Sequence, residues 1–199
     1  VRDAIKQSCD VFFYEAARRA GIDRISEMAF RLGFGKQSDL GLPGESSANQ
    51  PTRAWKQDKI GKSWQHGDTF NLGIGQGYMT ATPLQLAIMT ARLANGGYEV
   101  QPNLLLAKAT AREELVPPEP RAKSAAPSLR LNPQHLAMVR EGMNQVVNTG
   151  LGTANHLRRD ASGKVLDPAF TFAGKTGTAQ VKRITERGRA MGMTQEQMP

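Results

Sequence analysis

A chain of 199 residues with 26 Lys and Arg against 18 Asp and Glu carries a formal net charge of +8, with a sequence pI near 9.9. At 39% hydrophobic and 22% charged residues, with 20 Gly and 11 Pro, it suits one loop-rich domain or part of a larger one and is neither low-complexity disorder nor a membrane bundle. The longest apolar run, Leu104 to Ala107, falls far short of the roughly 18 residues of a membrane span, and Cys9 as the only cysteine excludes an intrachain disulfide.

The opening Val1-Arg2-Asp3-Ala4-Ile5-Lys6 has neither an initiator Met nor a signal-like apolar run, and reads as the start of an internal segment. Residues 1–20 show helical periodicity on both sides of Ser8-Cys9-Asp10, with Asp10 as the expected N-cap of a helix that Gly21 stops. Asp23 is placed to cap a second helix to Leu32, ended by Gly33 and Gly35. From Gly33 to Asn71 no period holds, and the segment reads as a long, partly ordered excursion. Thr82-Pro83 starts a helix with an apolar stripe through Leu84, Ala87, Ile88 and Ala91, stopped by Gly96-Gly97. Tyr98 to Leu106 reads as extended, and Val116 to Pro127 as a Pro-rich linker. Asn132-Pro133 repeats the cap-plus-proline device for a helix through Leu136, Val139, Met143 and Val146-Val147, closed by Gly150. Alternation and β-branched content over Phe170 to Val181 predict a strand, followed by a polar tail over 182–199.

The positive charge is dispersed. Its densest cluster, Lys182, Arg183, Arg187 and Arg189, is interrupted by Glu186 and lacks aromatic or zinc-finger company, which disfavours nucleic acid as a partner and leaves an ordinary basic surface or one facing an anionic polymer or membrane. Gly73-Ile74-Gly75-Gln76-Gly77 fails as a dinucleotide loop because Tyr78 holds the third glycine position. Gly61-Lys62-Ser63 and Gly174-Lys175-Thr176 fail as P-loops because Lys56 and Ala169 stand where the first glycine is required. His66, His135 and His156 lack paired metal spacing.

What remains is Lys-Thr-Gly within a strand pattern. Lys175-Thr176-Gly177-Thr178-Ala179-Gln180 resembles the third motif of the penicillin-interacting serine enzymes, and Ser8-Cys9-Asp10 resembles the second, with Asp10 in place of Asn. Together with Asn71 to Gln76 and Thr80 to Ala87, these motifs make residues 1–181 similar to class B penicillin-binding proteins of the rod-elongation type. The resemblance implies an α/β (α+β) fold, a helical subdomain with part of a mostly antiparallel sheet, truncated at both ends. Residues 1–199 would then be a partial transpeptidase domain, with 182–199 a connection to further strands.

The implied activity is peptidoglycan D,D-transpeptidation through a Ser acyl-enzyme, at the periplasmic face of the bacterial inner membrane and anchored by a helix outside this sequence. The implied partners are peptidoglycan stem peptides, β-lactam antibiotics and other cell-wall elongation proteins. Ser8, Asp10 and Lys175 carry the catalytic expectation: Lys175 supplies positive potential, Ser8 bridges lysines and relays a proton to the leaving amine, and Asp10 cannot donate unless protonated. Thr176 and Thr178 would hold the substrate carboxylate, the Thr178 N–H would serve the oxyanion, and Gly177 would admit the substrate along the strand. For an isolated Ser8 and Asp10, helix capping is the alternative role. No cofactor is required, although Cys9, otherwise a small buried side chain, is a possible structural zinc ligand by the same resemblance.

No Ser or Thr is followed three residues later by Lys, so the nucleophile's S-x-x-K is expected before Val1, and residues 1–199 alone are expected to be inactive and not to fold as a stable monomer. A class A β-lactamase is disfavoured, since Ser128 stands where the Glu of E-x-x-L-N would precede Leu131-Asn132. A β-lactam sensor or non-catalytic binding module stays open.

Overall fold

In the computed structural model six helices dominate the described residues, which are 1–41, 43–104, 108–109, 115–116, 126–167, 169 and 171–179. The first two helices meet at the Ser8-Cys9-Asp10 junction. Helix α1 (Arg2–Lys6) ends in a wrap in which Cys9 N–H donates to Ala4 O at 2.9 Å and Ser8 N–H to Ile5 O at 3.3 Å. This is the Schellman pattern, and it holds Ser8 at φ 52°, a left-handed conformation more often given to glycine. Helix α2 (Asp10–Leu32) follows at once, with Cys9 rather than Asp10 at its N-cap and no side-chain capping bond. The expected Asp10 cap is therefore corrected: Asp10 is the first helical residue, where its charge faces the positive end of the helix dipole. Gly21 (φ 76°, ψ 159°) leaves the helical conformation and breaks α2 into two helical halves, as expected, the second running to Leu32 with Gly33 as its left-handed cap. The Asp23 carboxylate accepts from Arg53 Nε at 3.1 and 3.2 Å.

The segment from Gly33 to Asn71 is more ordered than its sequence suggests, because it contains α3 (Arg53–Ile60) and most of α4 (His66–Gly73). Each is too short for a visible apolar period, and both are held by caps. Thr52 accepts from Trp55 N–H, and the Asp68 carboxylate accepts from Gln65 N–H. Between them, nearly buried Lys56 pairs with Asp68 and lies 5.5 Å from the Tyr78 ring centroid and 5.9 Å from that of Trp64.

Helices α5 (Pro83–Ala94) and α6 (Pro133–Asn148) start where the sequence places them. Thr82 and Gln85 close a capping box on α5, and Asn132 accepts from the N–H groups of Gln134 and His135 on α6. Buried Gln85 also donates to Lys36 O and Ser47 O, fastening the preceding loop to α5.

The expected sheet does not form among the described residues. Its one ladder joins β1 (Lys108–Ala109) to β2 (Leu115–Val116), antiparallel, and Tyr98 makes only an isolated bridge to Ser128. Residues 171–179 form no ladder, since a strand pattern becomes a strand only when a second strand lies alongside. Phe170, Gln180 and Val181 of that strand, most of the expected 116–127 linker and the whole 182–199 tail lie outside the described residues.

The core that positions the Lys-Thr-Gly segment is apolar and small. Ile5 of α1, Val146 and Val147 of α6, and Ala154 cluster in the interior, joined by Phe13, Val139, Met143 and Phe172. Phe172 lies three residues before Lys175, so burying its ring against α6 fixes where the motif leaves the core. Two polar bonds add register: Asn148 Nδ2 donates to Phe172 O at 2.9 Å, and Gly174 N–H donates to Met143 O at 3.2 Å.

Candidate active site

The chain ends of this frame converge. Lys175 Nζ donates to Ser8 Oγ at 2.5 Å, across 167 residues of sequence, and to Thr176 O at 2.8 Å and Thr176 Oγ1 at 3.2 Å. Ser8 Oγ and Thr176 Oγ1 are 3.3 Å apart. Lys175 is exposed as a residue, but its ammonium tip lies among these oxygens, and burial pulls its pKa below the ordinary lysine range. The Asp10 carboxylate opposes that shift by favouring the charged form. Asp10 thus meets the site through its charge, with no direct bond to Lys175 among the described contacts.

Ser8 is half-buried and sits in the wrap between α1 and α2, so its hydroxyl faces Lys175 without capping either helix. Gly177 and Thr178 are exposed, and a Cβ placed on Gly177 would meet nothing within 4 Å, leaving the motif open to a ligand on that side. Cys9, expected to be buried or a metal ligand, is exposed and free, and among the described residues no group of three His, Cys, Asp or Glu converges to hold a metal. His66, His135 and His156 are exposed and scattered over α4, α6 and a 3-10 turn (Asn155–Arg158).

One residue of the cluster escapes sequence reading. Thr153 Oγ1 lies 3.0 Å from Thr176 Oγ1, and Thr153 N–H donates to Lys6 O at 3.2 Å. A single Thr in a turn has no pattern to reveal it, and the adjoining Gly152 is the only signal. A Cβ at Gly152 would collide with the carbonyls of Gln145 and Val146, so glycine alone lets this turn fold back onto the end of α6.

The model of the penicillin binding protein transpeptidase domain matches residues 1–197. The chain belongs to that family. Among similar transpeptidases, peptidoglycan D,D-transpeptidase MrdA of Haemophilus influenzae is 40% identical over 185 residues, covering 92% of this chain and 27% of the relative. The crystal structure of Pseudomonas aeruginosa PBP2 in complex with WCK 5153 superposes with a TM-score of 0.73 at 38% identity, over 90% of this chain and 38% of that one. Helicobacter pylori PBP2 in its complex with MreC gives a TM-score of 0.69 at 32% identity, over 90% and 30% of the two chains. This chain spans about a quarter of the length of the curated relatives it matches. The transpeptidase fold is thereby shared, and among the described residues no helix is long and apolar enough to cross a membrane.

Proposed function

We propose that this chain supplies the second and third motifs of a peptidoglycan D,D-transpeptidase that works by serine acyl transfer and is acylated by β-lactams. The observation that carries the reading is the Lys175 ammonium within hydrogen-bond distance of both Ser8 Oγ and Thr176 Oγ1, in a chain of the transpeptidase family. In this reading the nucleophilic serine comes from outside residues 1–199, and its oxygen attacks the penultimate D-alanine carbonyl of a stem peptide. The proton lost by the attacking hydroxyl passes by way of Ser8 to the departing amine as the carbon–nitrogen bond to the terminal D-alanine breaks, and Lys175 stabilises the charge as Ser8 exchanges protons. An amine of a second stem peptide then attacks the ester, forming the cross-link and returning the serine with its proton.

The terminal carboxylate is an anion, so Lys175 and the hydroxyls of Thr176 and Thr178 match it in charge and donor type. The Thr178 N–H is assigned to the oxyanion, and the open side of Gly177 to the approaching peptide. The Lys-Thr-Gly segment is taken as the edge of a mostly antiparallel sheet, the periplasmic face of the inner membrane as the location, and an elongation protein such as the MreC seen with the H. pylori relative as a partner.

A fluorescent penicillin tests the reading on the complete protein. Stoichiometric labelling, blocked by prior unlabelled penicillin and reduced by Ser8→Ala, is expected, with cross-linked product from donor and acceptor stem peptides. No labelling of the complete protein overturns the proposal. Labelling without any cross-link reassigns the chain to a β-lactam sensor.

A further inference from the structure

We propose that Thr153 is a positioning residue of this site, acting through the direction of the Thr176 hydroxyl proton. The inference rests on the reading above and adds a residue to it. A threonine hydroxyl has one proton to give and two lone pairs to accept with. The Lys175 ammonium has only protons, so its contact with Thr176 Oγ1 at 3.2 Å fills one of those lone pairs. Thr153 Oγ1, 3.0 Å from Thr176 Oγ1, fills the other when it donates. Both lone pairs are then occupied, and the Thr176 proton has to point away from Thr153 and Lys175, toward Ser8 Oγ at 3.3 Å or toward an arriving anion. An anionic ligand needs a donor there, and a Thr176 that offered a lone pair would repel it.

Thr153 is placed for this task from both sides. Its N–H holds the carbonyl of Lys6, two residues before Ser8, and its hydroxyl holds Thr176, so one residue spans the two motif segments. Behind it, Gly152 lies against the carbonyls of Gln145 and Val146, and Ala154 N–H donates to Val146 O at 3.0 Å with Ala154 in the core. The hydroxyl is therefore delivered from a rigid turn, while Thr153 itself is exposed.

The effect should fall on recognition of the carboxylate, before the covalent step. In the complete protein, stopped-flow acylation by benzylpenicillin separates the non-covalent dissociation constant from the acylation rate constant. T153V, which removes the hydroxyl and keeps the shape, should raise the dissociation constant about 5- to 10-fold, the scale of one misdirected hydrogen bond in the presence of water, and change the rate constant less than about 2-fold. T153S keeps the hydroxyl and should stay within about 2-fold of the unsubstituted protein on both constants. In a T176V background, T153V should add less than about 2-fold, since the oxygen it orients is gone.

A purely structural Thr153 would give additive losses in the double variant and no rescue by T153S, and either result overturns the inference. Equal dissociation constants for T153V and the unsubstituted protein also overturn it while leaving the transpeptidase reading intact. If the unsubstituted protein is not acylated, that reading fails and this one with it. Should T153V not fold, T153A in the same cycle carries the identical expectation.

Discussion

Two regions of the molecule use charge in opposite ways. Around α3 and α4 a lysine is buried and committed: Lys56 is 4% exposed, paired with Asp68 and covered by Trp64 and Tyr78. At the α1–α2 junction a second lysine, Lys175, stands at the surface on a frame built from apolar residues, bonded to hydroxyls and without an ion-pair partner in bonding distance among the described contacts. The first arrangement spends its cation on holding two short helices together, so nothing is left for a ligand. The second leaves structure to Val146, Val147 and Ile5, and its cation stays available to an anion. Where a fold keeps a charge unpaired next to an apolar scaffold, chemistry is the economical explanation.

The largest expected effect breaks the committed side. Asp68→Ala leaves the Lys56 ammonium buried without its partner and removes the acceptor of Gln65 N–H, and should cost about 3 to 5 kcal/mol by chemical denaturation. Replacing both partners by apolar residues, Lys56→Met with Asp68→Leu, should recover most of that loss. A double variant as unstable as the single one would show that the pair is more than a mutual neutralisation.

On the uncommitted side, Lys175→Ala should lower β-lactam acylation of the complete protein by at least about 100-fold, the scale of a lost electrostatic transition-state contact, with little change in melting temperature. Thr178→Ala should cost less, because its backbone N–H survives. Equal losses in the two variants would mean that the roles are divided wrongly.

The helices outside the α3–α4 region were legible in the sequence, and the exceptions have physical causes. Thr82-Pro83 and Asn132-Pro133 mark their helices because a capping side chain and a fixed proline φ act within four residues. Helices α3 and α4 are eight residues each, too short to show an apolar period, and the Lys56–Asp68 pair that joins them spans the loop between them. Ser8, Lys175 and Thr176 could be read only through resemblance, since residues 167 positions apart share no periodicity, and Thr153 was legible in neither way. Asp10 looked like a cap because its type is right, but the wrap at Ser8 advances the helix start by one residue.

A smaller effect sharpens the role of Asp10. Burial lowers the Lys175 pKa and the Asp10 charge partly restores it, so Asp10→Asn should move that pKa further down. The charged fraction of Lys175 would then fall at a lower pH, and the alkaline limb of the acylation profile should shift to lower pH. A shift upward, or none, would remove the charge coupling.

The smallest effect separates stability from function at one residue. Ser8 pays for its left-handed backbone, so Ser8→Gly should stabilise the fold by about 0.5 to 1 kcal/mol while sharply reducing acylation. A destabilised variant would show that the bonds of the Ser8 hydroxyl outweigh the backbone strain.

The span between Ser8 and Lys175 also has a kinetic meaning. Their contact spans 167 residues of sequence, and α1 also packs on the distant α6, so among the described residues these meetings carry a high closure entropy. Local helices can form in microseconds, whereas the junction must wait for a search over distant segments. During refolding of the complete protein, helical circular dichroism should therefore recover before penicillin labelling does, and the gap between the two time courses would bound the time taken to bring Ser8 and Lys175 together.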